Sequence, residues 1–299
     1  MNRLWQFLGV LALLGTLAPA AQAQKLIHSE RSLYREVLVY ESGAERCMCF
    51  TRNCRIGRQT CMNKEAPDRF VMNYTQMMMS ALFMKPAPGS ILIIGLGGGT
   101  LPRALNSILP DATIDVVEID PAVVRVAHDY FGFNASERVR VAEVDGRVFV
   151  KRAQREQRKY DLIMLDAFDH EYIPEHLLTR EFLQEVSSLL GPGGVLAANT
   201  FSSSQLYDHE SVTYAAVFGT FYNLKRDNRV ILAMKGGLPS REEIARNAQR
   251  LQPAFAKFAI PIERHVEMFT TRIDWDQKAR VLTDQYSPAN LLNLRREAR

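Results

Sequence analysis

"ILIIGLGGGTLPRAL" occupies residues 91–105, and its reading decides the fold. Ile91, Leu92, Ile93 and Ile94 are apolar without a polar alternation, which describes a short strand buried on both faces. Gly95-Leu96-Gly97-Gly98-Gly99 follows, and its missing β-carbons let a ligand approach the backbone closely. From Thr100 the apolar spacing turns helical, so the glycine turn ends at a helix start with free N–H donors. Strand, glycine turn and helix open an α/β sheet that binds a nucleotide-like group. The pattern is G-x-G-x-G. The dinucleotide fingerprint G-x-G-x-x-G/A needs Gly or Ala where Thr100 stands, which disfavours NAD.

Downstream, the same alternation repeats. Strands are expected over residues 113–120, 138–145, 160–168 and 193–200, with helices over 100–108, 121–130, 146–154, 179–189 and 205–218. Apolar strands separated by helices predict a Rossmann-like, doubly wound parallel sheet covered on both faces. A last pair, 221–227 and 229–235, is split at Asp227-Asn228 and reads as an antiparallel edge hairpin. Beyond Lys235 a helix over 241–251 is expected, then irregular chain.

Upstream, residues 32–63 alternate apolar and polar side chains and turn at Gly43, Asn53 and Gly57, which predicts a small antiparallel sheet. Residues 68–86 read as one helix with Phe70, Met77, Ala81 and Met84 on one face and Pro86 as its stop; Met77, Met78 and Met79 are expected as core filler. Residues 1–23 have Arg3 in a polar head, a short apolar core and Ala21-Gln22-Ala23 before Gln24, the pattern of a secretory leader cleaved after Ala23. That apolar core is shorter than the roughly 20 residues a spanning helix needs, and no later segment is long and apolar enough to cross a bilayer. The expected organisation is a leader (1–23), a small β domain (24–66), the α/β domain (67–237) and a helical and irregular extension (238–299).

The four cysteines, Cys47, Cys49, Cys54 and Cys61, fall in one segment with C-x-C-x4-C-x6-C spacing. In an exported chain this predicts two disulfides, with three pairings open; a metal site is disfavoured because paired C-x2-C spacing and a nearby histidine are absent. A formal net charge of +4 over 299 residues, with signs interspersed as in "ERVRVAEVDGRVFVKRAQREQRKYD", describes a solvated surface and argues against a nucleic-acid partner.

In such a sheet ligands sit at the carboxyl ends of the strands, so those ends carry the functional reading. The second strand ends in Glu118-Ile119-Asp120. Glu118 is placed to accept from ribose hydroxyls, whereas Asp120, before Pro121, is expected to cap a helix. The third ends in Asp145-Gly146, where an acid accepts from an exocyclic amine or serves as an N-cap. The fourth ends in Asp166-Ala167-Phe168-Asp169-His170. Three successive strand ends carrying acids beside a glycine turn point to an adenosine-binding pocket.

These residues resemble the spermidine synthase (polyamine aminopropyltransferase) family, which shares the fold of S-adenosylmethionine-dependent methyltransferases. The resemblance is carried by "LIIGLGGGTLPRAL", "VVEIDPAVVRVAHDYF", "VDGRVFV", "YDLIMLDAFDHEYIPEHLLTREFLQEVSSLLGPGGVLAAN" and "RVLTDQYSP". It implies that Gly95, Gly97, Gly99, Glu118, Asp145 and Gly146 bind a decarboxylated S-adenosylmethionine or S-adenosylmethionine co-substrate, with no permanently bound cofactor. It also implies that Asp166 takes a proton from the attacking amine, that Asp169 holds that amine, and that the chain associates as a homodimer or tetramer. Three departures stand out. Gly98 replaces an acid usual in the family's glycine turn, "CFTRNCRIG" replaces an "LDG" stretch, and "RFVMNYTQMM" lacks the acid and histidine of "YHE". His176 is expected at the surface; His170 is open between surface and amine site. The alternatives are methyl transfer on the same fold and a non-catalytic exported protein binding polyamines or nucleosides.

Overall fold

The computed structural model describes residues 24–54, 57–167, 173–202 and 206–294. The chain begins with four strands, β1 (Lys25–Arg31), β2 (Glu36–Ser42), β3 (Glu45–Cys49) and β4 (Arg58–Asn63). They pair in sequence order as an antiparallel meander. Two helical pieces follow, α1 (Asn73–Met79) and α2 (Ala81–Met84), and then the large sheet begins. Its elements alternate as β5 (Ser90–Ile94), α3 (Thr100–Ile108), β6 (Thr113–Glu118), α4 (Pro121–Phe131), β7 (Val139–Glu143), α5 (Gly146–Arg155) and β8 (Tyr160–Leu165). A 3-10 turn (Glu175–Leu177), α6 (Arg180–Leu189), β9 (Leu190–Phe201), α7 (Leu206–Phe218), β10 (Tyr222–Lys225) and β11 (Asn228–Met234) complete it. The extension carries α8 (Arg241–Phe255), α9 (Ile262–Met268) and α10 (Ala289–Leu294).

The large sheet runs β10-β11-β9-β8-β5-β6-β7, with β5 to β9 mutually parallel and β11 and β10 antiparallel at one edge. This is the doubly wound sheet and edge hairpin expected from the sequence. β5 is the central strand. From it the chain winds outward through β6 and β7, then returns to the other side of β5 at β8, leaving a crevice beyond the carboxyl ends of the strands. Those ends are held level, because Gly95 N–H donates to Val117 O and Asp166 N–H donates to Ile94 O, each at 2.8 Å.

Both faces of the sheet are covered. Ile91, Ile93, Ile114 and Val116 pack with α1, α2, α3 and α8 on one side, and Leu92, Ile94, Ile163 and Leu165 with α5, α6 and α7 on the other. The small sheet docks on α4: Val37, Val39 and Met48 pack against Ala122, Val123, Val126 and Phe131. Burial of these apolar side chains, each worth roughly 1.5–3 kcal/mol, fixes the small sheet beside the crevice. The loop between β1 and β2 is pinned there as well, because Ser32 Oγ donates to Asp120 Oδ2 at 2.6 Å.

Cys47 and Cys61 stand opposite each other in the β3–β4 register and are joined, as are Cys49 and Cys54, which selects one of the three pairings open to the sequence. Two other expectations are corrected. The helix expected over 68–86 starts only at Asn73 and breaks at Ser80, whose N–H donates to Met77 O in a tightened turn. Phe70 instead bridges Met62 of β4 and sits against Phe258, their ring centroids 5.3 Å apart, because its apolar side chain finds a partner in the extension. The extension also holds helices α9 and α10 where irregular chain was expected. No helix among the described residues is long and apolar enough to cross a membrane.

Candidate active site

A cavity of about 230 Å³ opens at the carboxyl ends of β5, β6 and β8. Its floor brings together Gly95, Gly97, Glu118, Asp145, Gly146 and Asp166, and Tyr34, Arg35, Phe50 and Gln59 of the small sheet line its other wall. Six residues singled out from scattered strand ends thus share one space. Gly99 lies beside it as the N-cap of α3, and Asp169 and His170 fall outside the described residues.

The glycine turn has a steric cause at each of three positions. Gly95 has φ +102°, and a β-carbon there would lie 2.1 Å from Asp166 O, so this crossing of β5 and β8 admits no side chain. Gly99 has φ +72° and packs on the Phe133 ring, which a β-carbon would meet at 2.6 Å. Gly98 is different: its backbone is ordinary, but a β-carbon would lie 2.7 Å from Thr60 Cγ2 and 3.1 Å from Phe131 Cδ1. Thr60 reaches in from β4. The space that an acid's stem needs is therefore already filled by the small sheet.

Glu118, at the end of β6, accepts from Leu96 N–H at 3.1 Å with Oε2 and from Asp120 N–H at 3.0 Å with Oε1. The carboxylate is thereby fixed beside the glycine turn, with lone pairs left over for ligand hydroxyls. Burial pushes its pKa up, against those two N–H donors. Asp120 caps α4 through Ala122 N–H at 2.9 Å, as its place before Pro121 predicts. Asp145 serves both roles left open for it. It caps α5 by accepting from Arg147 and Val148 N–H, and it lines the cavity. His176 Nε2 lies 2.8 Å from Asp145 Oδ2, and this bond is the leading cause of a lowered Asp145 pKa. The imidazole is exposed, as expected, and in addition it lines the cavity wall and pairs with Asp145.

Asp166 continues β8 into the cavity floor. Asn199 Nδ2, from β9, donates to Asp166 Oδ1 at 3.0 Å, and the Tyr74 phenol of α1, whose hydroxyl reaches Gln59 O at 3.4 Å, lies close enough to favour the ionised Asp166 carboxylate. Burial dominates, and with the Glu118 charge nearby it pushes the Asp166 pKa up to about 7 despite those donors. The orientation of Asn199 is itself set, since its Oδ1 accepts from Asn228 Nδ2 at 3.4 Å and so turns the amide nitrogen toward Asp166. Tyr74 and Asn199 were not singled out from the sequence. Asn199 carries a usable signal, a polar residue ending an apolar strand beside β8, though it is an amide where the neighbouring strand ends carry acids. Tyr74 carried none, because only the packing of α1 brings it to Asp166.

The cavity is therefore lined by four carboxyl groups, those of Glu118, Asp120, Asp145 and Asp166, with Arg35 near Glu118 and its guanidinium 4.2 Å over the Phe50 ring. A space of this charge, between a glycine turn and a half-buried acid of raised pKa, suits a cationic nucleoside and an amine. Residues 71–230, which hold most of this geometry, match the Spermine/spermidine synthase domain. The chain belongs to the spermine/spermidine synthase family. The polyamine aminopropyltransferase of Vibrio vulnificus is 49% identical over 272 residues, which are 89% of this chain and 91% of that protein. Among solved structures, a probable spermidine synthase from Corynebacterium glutamicum superposes with a TM-score of 0.63 at 16% identity, covering 85% of this chain and 98% of that one, and shares the fold. Human methyltransferase-like protein 13 in complex with SAH gives a TM-score of 0.55 at 26% identity, covering 74% of this chain and all of the other.

Proposed function

We propose that this spermine/spermidine synthase family protein transfers the aminopropyl group of decarboxylated S-adenosylmethionine to an amine substrate, and that it does so as an exported protein. The observation that carries the reaction is Asp166: a half-buried carboxyl group with pKa about 7, sharing one cavity with Glu118 and Asp145. The 49% identical aminopropyltransferase supports the reaction type, and the leader-like residues 1–23 together with the paired cysteines support export.

The chemistry follows from the layout. An alkylamine, with an ordinary pKa of about 10.4, arrives protonated and cannot attack. Ionised Asp166 binds the cation and takes its proton as nitrogen attacks the carbon beside the sulfonium. The N–C bond forms, the C–S bond breaks, and its electron pair stays on sulfur, so methylthioadenosine leaves neutral without an acid. Glu118 holds the ribose and Asp145 the base, and the rest of the barrier is lowered by alignment. Tyr74 and Asn199 hold the Asp166 carboxyl group in place for that transfer.

Methyl transfer is the second reading. The likeness to a methyltransferase bound to SAH and the missing acid at Gly98 favour it. Both readings are tested by offering the full chain decarboxylated S-adenosylmethionine or S-adenosylmethionine with putrescine or spermidine, and weighing products by mass spectrometry. Aminopropylated amine from the first donor is expected; methylated amine from the second would replace the proposal with its rival. Asp166→Asn should lower turnover at least about 100-fold while leaving methylthioadenosine affinity nearly unchanged. Collapse of that affinity would mean that Asp166 binds the nucleoside instead.

A further inference from the structure

Asp145 has one oxygen committed to the fold and one left for the cavity. Oδ1 accepts from Arg147 N–H at 2.9 Å and Val148 N–H at 3.0 Å, which closes the first turn of α5. Oδ2 takes His176 Nε2 at 2.8 Å. The lowered pKa keeps Asp145 ionised and therefore an acceptor only, so His176 carries its proton on Nε2 and donates. A carboxylate oxygen has two acceptor positions, and the His176 bond fills one of those on Oδ2.

His176 is not loosely placed. It sits on the 3-10 turn (Glu175–Leu177) after Pro174, and the far end of the chain fixes that turn. Asn290 Nδ2 donates to Ile173 O and to Glu175 Oε1, both at 3.1 Å, while Asn290 Oδ1 accepts from Ile173 N–H at 3.0 Å. Ser287 Oγ donates to Glu175 O at 3.0 Å. The extension thus holds the His176 backbone at the cavity wall from outside, and Asp145 holds its ring from within.

We propose that His176 is the positioning residue that makes this cavity selective for a 6-aminopurine: its N–H locks Asp145 Oδ2 so that a single remaining acceptor faces the base. A 6-amino group donates to that acceptor. A 6-oxo group brings an acceptor against an acceptor and is rejected. The inference rests on the reading of the cavity as an adenosyl site.

Calorimetric titration of the full chain with 5′-methylthioadenosine and 5′-methylthioinosine tests it. The native protein should prefer the 6-amino compound at least about tenfold, the order expected for one unmatched buried polar contact. His176→Ala should lose most of that preference, while His176→Gln, which keeps an N–H donor, should retain it. A native preference ratio surviving in His176→Ala overturns the proposal, even if both affinities fall together, since that is what a merely structural histidine would give. Loss of the ratio in His176→Gln to the same extent as in His176→Ala overturns the donor role. If the native protein binds neither nucleoside, the adenosyl reading fails and takes this inference with it, a result distinct from an unchanged ratio.

Discussion

Asp166 must be ionised to take a proton, yet its surroundings oppose the charge. Burial and the neighbouring Glu118 raise its pKa to about 7, while the Asn199 amide that donates to the carboxylate and the nearby Tyr74 phenol pull in the opposite direction. For an acid with a raised pKa the consequences have a definite sign. The reactive form grows as pH rises through about 7, so kcat/KM, which follows the groups of the free protein, should climb with pH across that value and then level. Tyr74→Phe removes a hydroxyl that favours the ionised form, so the midpoint should move upward and kcat/KM near neutrality should fall several-fold. Rate measurements from pH 5 to 9 on both proteins decide it; an unmoved midpoint would separate Tyr74 from the proton transfer. The same physics lowers stability where it permits activity. The folded protein binds this proton more tightly than the unfolded chain does, so Asp166 draws stability down progressively between the unfolded carboxyl pKa, about 3.9, and the folded one.

Local chemistry made most elements legible. Asp120 before Pro121, Thr179 before α6 and Ser240 before α8 each place a side-chain acceptor at a helix start, and the helices begin there. The glycine turn was legible because its glycines answer to nearby backbone and rings. The elements that escaped depend on distant partners: α1 starts late because Phe70 is drawn to Phe258, and the last helix is held by contacts such as Asn290 with Ile173. Asn199, Tyr74 and His176 belong to the same class, since each matters through a carboxyl group far off in sequence. Gly98 lies between the two. Its departure from the family pattern is visible in the sequence, but the reason, Thr60 of β4 standing in the space, is visible only in the fold. Gly98→Asp should therefore cost about 1–3 kcal/mol through overpacking, without gaining an acid in the cavity. Adding Thr60→Ala should recover a large part of that loss, with Phe131 Cδ1 preventing full recovery. Thermal melts of the two single variants and the double variant measure the coupling, and additive losses would show that Thr60 is not what excludes the acid.

At the scale of the whole molecule, the cavity exists only between two sheets. The large sheet presents the carboxyl groups, and the small one supplies Tyr34, Arg35, Phe50 and Gln59. That small sheet has four short strands, with one face resting on α4 and the other carrying the buried cysteines against Tyr40, Val71 and Met72, and sheets of this size are marginal by themselves. Its cysteines answer the need. Cys47–Cys61 ties β3 to β4 across a separation of 14 residues, and Cys49–Cys54 closes the loop that leaves β3. A crosslink over a loop of that length is worth about 3 kcal/mol by chain entropy, although strain and residual structure commonly reduce it. Its loss should act mainly on the cavity wall carried by the small sheet. Cys47→Ser with Cys61→Ser should lower the melting temperature by several degrees and raise KM more than it lowers kcat, because Asp166, Asn199 and the glycine turn belong to the large sheet. Reductant should reproduce the effect on the native protein and add less to the variant. The same dependence bears on export, since such crosslinks persist in oxidising compartments. Protein recovered from the periplasm should begin at Gln24 and show no free thiol, whereas a chain isolated with Met1 in place and four reactive thiols would place its work in the cytoplasm.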